Sequence, residues 1–262
     1  MHFMNDKKIS LEEFAKIQRY CLSVNSLGTN KEVMQGYLSN VYGPLIAHLR
    51  IRSVLELGIW TGYSLMLWRD YMNLENCVGI DNNTENLKLG EFNSDRIKII
   101  TADAFNRKTH KLLKSNFDLI IDDANHTMYQ QSRFASKYIK KLNPLGALVI
   151  EDIDSVKSRV PNIIYSIPPY ISFSAFLVDT SGIPGKLSNS KCIVIQISGD
   201  RNSNLFEFNE FWHKIRTPGL FLRILRYPLI RFILTPYRRV STSVTYRIKK
   251  FLHGLAQGVN SF

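Results

Sequence analysis

The sequence predicts an α/β domain: a doubly wound, mostly parallel sheet with N-terminal helices and a basic helical C-terminal extension. Three observations carry this reading. Short apolar runs recur at 53–57, 77–80, 97–100, 117–121 and 147–150, and segments of helical periodicity separate them. That alternation is how β-α-β units build a parallel sheet. The 262 residues, 45% of them hydrophobic, suffice for one large domain with an appendage. The charge is uneven: of the net +12, the stretch Arg201–Phe262 holds +9, with eleven Lys/Arg against two acids. The charge shift sets off a C-terminal extension, 201–262, and the predicted helices set off an N-terminal segment, 1–50, leaving 51–200 as the main domain.

Ser10 and Glu13 make a capping-box pattern ahead of Phe14, Ile17 and Tyr20, which predicts a helix over 10–23. A second helix is expected over about 31–49. The strand 53–57 then runs into a turn bearing Gly58 and Gly62, and helices are expected near 63–72, 84–92, 105–114 and 127–142. Thr127 and Gln130 form the capping box of the last of these. Asn143-Pro144-Leu145-Gly146 is the turn that feeds the strand 147–150. Two later runs, 172–178 and 192–197, are expected to complete the sheet as an antiparallel edge, with the Gly-, Ser- and Pro-rich 179–190 as a loop between them. The three cysteines, Cys21, Cys77 and Cys192, are far apart and form no CxxC, which argues against a zinc site or a disulfide framework and for a reducing, cytoplasmic setting. The N-terminus has no apolar h-region, and no apolar run is long enough to span a bilayer.

Two predicted strands end abruptly in acid. One reads Ile120-Ile121-Asp122-Asp123-Ala124-Asn125-His126, the other Leu148-Val149-Ile150-Glu151-Asp152. Ligands of open parallel sheets bind outside the carboxyl ends of the strands. If these strands are neighbours, Asp123, Glu151, Asp152 and His126 meet at one rim, as a hard metal ion beside a general base requires. Taken singly, an acid at a strand end is equally a helix cap or a solvated loop residue; the joint pattern is what points to chemistry. With no cysteine among the ligands, Mg²⁺ or a similar divalent cation suits the set. The imidazole of His126 can take the proton of an acceptor hydroxyl.

The run Val54-Leu55-Glu56-Leu57-Gly58-Ile59-Trp60-Thr61-Gly62-Tyr63-Ser64 is a strand, a glycine-bearing turn and a helix start. Asp81 ends the next strand, at the position from which a carboxylate holds two ribose hydroxyls, and Asp103 follows the third, where it could meet a base edge. No Lys-Ser/Thr follows the second glycine, so a P-loop is disfavoured. The set Glu56, Gly58, Gly62, Asp81 and Asp103 resembles the cofactor motifs of class I S-adenosylmethionine-dependent methyltransferases. Gly58–Leu65, followed by Trp68-Arg69-Asp70-Tyr71, is similar to the branch of metal-dependent macrolide sugar O-methyltransferases and cephalosporin-hydroxylase-like proteins. Trp60 stands where the general motif has its middle glycine.

The resemblance implies a Rossmann-like methyltransferase fold that binds S-adenosylmethionine. Glu56 would lie near the methionine portion, Asp81 at the ribose and Asp103 near the adenine, with Gly58, Gly62 and Ser64 in the same site. By position, Asp123, Glu151 and Asp152 match the branch's metal ligands and His126 its base; Asn125 replaces a serine. Gly28-Thr29-Asn30-Lys31, with Tyr37 and Tyr42, resembles an upstream element of the branch, with Asn30 for aspartate and Gln35 for histidine. That element implies a segment folded over cofactor or substrate through Thr29 and Tyr37. The implied activity is O-methylation of a sugar hydroxyl on a glycan, glycolipid or glycosylated natural product. An iron-dependent hydroxylase of the same branch and a non-catalytic scaffold are the alternatives; the first needs two histidines, and only His126 is near the rim.

The stretch Leu220–Leu234 interleaves arginines with aliphatic and aromatic residues, and basic pairs continue to Lys250. Residues 218–252 are expected either to make peripheral contact with an anionic membrane, placing the protein at its inner face, or to pack on the domain or a second copy in a homo-oligomer. The basic residues lie among aliphatic ones and no stacking platform appears, so nucleic acid is not expected.

Overall fold

Eight strands form one sheet in the order β3-β2-β1-β4-β5-β7-β6-β8. They are β1 (Ser53–Leu57), β2 (Asn76–Asp81), β3 (Ile97–Thr101), β4 (Phe117–Asp122), β5 (Leu142–Ile150), β6 (Phe173–Asp179), β7 (Lys191–Ile197) and β8 (Trp212–Ile215). This computed structural model describes residues 29–32, 34–70, 73–87, 95–113, 116–197 and 210–217. Strands β1 to β5 are mutually parallel. β7 runs antiparallel between β5 and β6, and β8 pairs antiparallel with β6. The fold is thus the mostly parallel, doubly wound sheet with an antiparallel edge that the alternation predicts.

Alternate residues of the central strands feed two cores. Val54, Leu119, Ile121 and Val149 join one cluster with Leu65, Leu67 and Trp68. Leu55, Ile120, Leu148 and Ile150 join the other with Phe134, Tyr138 and Ile163. The period of two along a strand sends neighbours to opposite faces, and both faces are covered, so the strands read as continuous apolar runs.

Helices α1 (Gly43–His48), α2 (Tyr63–Asp70), α3 (Arg107–Leu112), α4 (Met128–Tyr138) and α5 (Val156–Ser166) flank the sheet. Thr127 caps α4, its Oγ1 accepting from the Gln130 N–H at 3.4 Å, as the capping box predicts. The helix expected over 31–49 is shorter: residues around Lys31 and Gln35 make turns, Gly36 takes φ +68°, and a π-helical turn at Leu38–Tyr42 leads into α1. Residues 84–87 are irregular, and the rest of the helix expected there lies outside the described residues, as do the helix expected at 10–23 and the basic stretch from 218 onward. Helix α5 and strand β8 are additions to the sequence reading. Cys77 and Cys192 are free and buried. No helix of the described residues is long and apolar enough to cross a membrane.

The strand order reverses between β1 and β4, which makes the crevice at their carboxyl ends the place for a ligand. Backbone hydrogen bonds extend the ladder one residue past the strand ends: Gly58 N–H to Ile80 O at 2.9 Å, Asp123 N–H to Leu57 O at 2.9 Å and Glu151 N–H to Asp122 O at 3.0 Å. Gly58, Asp123 and Glu151 are thereby fixed on one rim.

Candidate active site

The glycine turn after β1 packs directly under Asp123. Gly58 has φ +80°, and a Cβ there would lie 2.3 Å from the Asp123 carbonyl oxygen and 2.5 Å from Ala124 Cα. Only glycine allows both that backbone conformation and that approach. The Asp81 Oδ2 accepts from the Ile59 and Trp60 N–H groups at 2.9 and 3.0 Å, so the acid at the end of β2 fixes the turn. Beside it opens a cleft of about 380 Å³, lined among others by Gly58, Trp60, Asp81, Asp103, Phe105 and Asp123. Its volume lies in the range of small-molecule sites, roughly 300–1,000 Å³. Of the residues expected to bind the cofactor, Gly58, Asp81 and Asp103 line this cleft; Thr29, Tyr37, Glu56, Gly62 and Ser64 are not among its lining residues.

At the other side of Asp123 the β4 and β5 ends meet as expected of neighbouring strands. His126 Nε2 lies 3.6 Å from Asp152 Oδ2 and 4.0 Å from Asp123 Oδ1. One donor atom from each of Asp123, His126 and Asp152 lies within 4.8 Å of the others. Two carboxylate oxygens so close together fit a divalent cation, with the imidazole beside it. Asp152 has φ +55°, a left-handed conformation that an aspartate tolerates better than most residues. Gln35 Nε2 donates to its Oδ1 at 2.6 Å and the Tyr37 hydroxyl at 3.2 Å. Burial raises the Asp152 carboxyl above the ordinary aspartate value, Asp123 adds to the rise, and His126 opposes it.

Asp122 and Glu151 face inward. Asp122 is buried, and burial pushes its carboxyl up to about 8, with the neighbouring Asp123 adding to the rise. Glu151 is fully buried, and its two oxygens each accept from Lys31 Nζ at 2.8 Å, with the Tyr42 hydroxyl on Oε1. The Lys31 ammonium, also fully buried, lies 2.9 Å from Asp123 Oδ2 and 3.3 Å from Glu56 Oε1. Burial alone would lower its pKa, but Asp123, Glu151 and Glu56 hold it well above the ordinary lysine value, so it is charged. Glu56 takes a further hydrogen bond from Trp68 Nε1 at 2.7 Å. The acid expected near the methionine portion of a cofactor is thus part of a buried ionic cluster. Thr29 supports the same turn, its Oγ1 accepting from the Lys31 N–H at 3.4 Å.

Lys31, Gln35 and Tyr42 belong to the upstream element singled out in the sequence, yet nothing in their spacing says that they reach the strand ends. Arg159 and Gln131 are further additions. Arg159 Nη1 donates to Gln131 Oε1 at 2.8 Å and to the His126 carbonyl, and Gln131 Nε2 donates to the Glu151 carbonyl at 2.9 Å. This bridge from α5 through α4 fixes the backbone at both acidic strand ends.

Residues 55–153 match the sequence model of a family described as a methyltransferase domain. A search of curated proteins found no match. Among solved structures, the chain is similar to the MycE methyltransferase of the mycinamycin biosynthetic pathway in complex with Mg and SAH, at 20% identity and a TM-score of 0.40 over 54% of this chain and 38% of that one. It is similar to an O-methyltransferase from Bacillus cereus in complex with SAH, at 17% identity and a TM-score of 0.44 over 71% and 89%. The N-methyltransferase NodS from Bradyrhizobium japonicum WM9 aligns at 16% identity and a TM-score of 0.42 over 62% and 92%. The chain spans about two-fifths of the length of the mycinamycin enzyme.

Proposed function

We propose that this protein is an S-adenosylmethionine-dependent O-methyltransferase, assisted by a divalent cation such as Mg²⁺, that acts on a sugar hydroxyl. The observation that carries the reading is the position of Asp123, which lines the cleft beside Asp81 and Asp103 and also belongs to the donor cluster with His126 and Asp152. The match of residues 55–153 to a methyltransferase-domain family supports the reaction class. The sugar acceptor rests on the motif resemblance of the glycine turn and the acidic strand ends.

S-adenosylmethionine, when bound, supplies an electrophilic methyl group, and a divalent cation supplies charge that lowers the pKa of an acceptor hydroxyl. The chain's own residues do the rest. Asp81 and Asp103 line the cleft and would meet a ligand's hydroxyl and base-edge donors there. Asp123 and Asp152 are the residues that would hold the cation. His126, with its side chain 40% exposed, stands where an acceptor can reach it and takes the hydroxyl proton at Nε2. The Asp152 carboxylate 3.6 Å away stabilises the imidazolium that results. Catalysis by this arrangement is positioning and charge management.

The test is transfer of a radiolabelled methyl group from S-adenosylmethionine by the full-length protein to a panel of free sugars, sugar nucleotides, glycolipids and amines, with Mg²⁺ or with EDTA. Label on a sugar hydroxyl, lost with EDTA, is the expected result. Transfer that EDTA leaves unchanged overturns the cation's role, and preferential transfer to an amine overturns the O-methyl assignment. For residues 218–252 the proposal is contact with an anionic membrane that carries a glycolipid acceptor. Full-length protein should sediment with anionic vesicles and protein ending at 217 should not; failure of both removes the membrane from the reading.

A further inference from the structure

The acids at the rim do not all face the same cation. Four carboxylates, Glu56, Asp123, Glu151 and Asp152, gather around one ammonium and one imidazole. Lys31 Nζ lies within 3.3 Å of three of them, and both oxygens of Glu151 are spent on it. The Tyr42 hydroxyl takes a further lone pair of Glu151 Oε1. Trp68 and Tyr42, each with its ring centroid 6.0 Å from Nζ, wall this charge off from water. Asp123 is the only member shared between the two sides: its Oδ2 faces Lys31 and its Oδ1 faces His126. Asp152 is turned the other way, held by Gln35 and Tyr37 rather than by Lys31.

We propose that Lys31 is the built-in cation of this site: a positioning residue that fixes Glu56, Asp123 and Glu151 and withdraws Glu151 from any divalent ion, leaving Asp123 and Asp152 as the carboxylates that hold it. The inference rests on the metal-assisted reading above and divides the acids that sequence position groups as one ligand set. The physical reason is charge. A fixed ammonium gives the two buried carboxylates, Glu56 and Glu151, a positive partner that their neutral donors Trp68 and Tyr42 do not supply, and buried charge needs one. It also positions the shared Asp123 before any ligand arrives, at the end of the glycine turn that lines the cleft. A positive charge one carboxylate away from the ion keeps binding weak enough for the ion to exchange.

The experiment measures Mn²⁺ binding by full-length protein, from the electron paramagnetic resonance signal of free Mn²⁺, so that no acceptor or turnover is needed. Wild type, Lys31→Met, Lys31→Arg and Glu151→Gln are compared. Removing the ammonium frees Glu151, so Lys31→Met should tighten Mn²⁺ binding by about tenfold or more, whereas Lys31→Arg should stay within about threefold of wild type because it keeps the charge. Glu151→Gln should also leave the affinity within about threefold, and it carries the test by itself if Lys31→Met does not fold. Wild-type binding that Glu151→Gln abolishes, or a folded Lys31→Met that binds Mn²⁺ no better than wild type, overturns this inference alone. A wild type that binds no Mn²⁺ overturns the metal-assisted reading beneath it as well.

Discussion

Replacing Gly58 with alanine probes the junction on which the whole rim depends. The new Cβ would meet two backbone atoms, the Asp123 carbonyl oxygen at 2.3 Å and Ala124 Cα at 2.5 Å, and neither can rotate aside as a side chain would. The left-handed backbone at φ +80° adds about 1–2 kcal/mol for any residue with a Cβ. Forcing an extra carbon into close packing adds roughly 1–3 kcal/mol. The expected loss is therefore about 2–5 kcal/mol, which for a domain of this size lowers Tm by roughly 5–15 °C. Gly182→Ala is the control: its Cβ meets nothing within 4 Å, so Tm should move by less than about 2 °C. Differential scanning calorimetry of the three proteins decides the matter. A Gly58→Ala protein melting within 2 °C of wild type would refute the argument that the glycine turn is locked under Asp123.

Other substitutions separate stability from function. His126→Ala should reduce methyl transfer by roughly 10²–10⁴-fold while leaving SAH affinity within a few-fold, because the side chain is largely outside the packed core; a comparable loss of SAH binding would count against its role as base. Trp60 is 60% exposed at φ +42° on the lip of the cleft. Trp60→Gly should change stability by less than about 1 kcal/mol, since relief of left-handed strain offsets the added chain entropy. It should raise the SAH dissociation constant by roughly fivefold through loss of aromatic contact, and an unchanged constant would remove the indole from the site. Asp118 clamps β1 to β4 and to the start of β5, which takes in the residues 143–146 expected as a turn: partial burial works against its ionisation, but hydrogen bonds from Asn143, Arg52 and Ser53 prevail and hold it below the ordinary aspartate value. A depressed carboxylate pKa stabilises the fold above the unfolded value, about 3.9, and that contribution is lost as pH falls through the lower folded value. The Tm advantage of wild type over Asp118→Ala should thus be full at pH 5–7 and shrink below about pH 4; an advantage that grows in acid would reverse the assignment.

The sheet was legible because its strands are buried on both faces, which writes them as apolar runs, and because the runs at Ile121 and Ile150 stop in acid. Those stops are the carboxyl ends of neighbouring strands. Helix α5 was not, since Pro161 interrupts a pattern whose Val160, Ile163 and Ile164 nonetheless pack inward. Strand β8 is only four residues long, too short for an apolar alternation to show. The division of the acids was also unreadable. Glu151 and Asp152 are adjacent, yet Glu151 accepts from Lys31 and Asp152 from Gln35, partners more than a hundred positions away. Lys31 reaches Asp123 and Glu151 across 92 and 120 positions, a contact that local periodicity cannot carry.

Titration calorimetry of SAH into full-length wild type and Asp81→Ala tests the central claim most directly, since it needs neither acceptor nor metal. The account predicts saturable binding by wild type in the micromolar range, about −8 kcal/mol, and a loss of at least about tenfold in Asp81→Ala. Wild-type protein that releases no heat at millimolar SAH, or equal affinity in the two proteins, would contradict the assignment of the cleft beside Asp81 and Asp123 as the cofactor site.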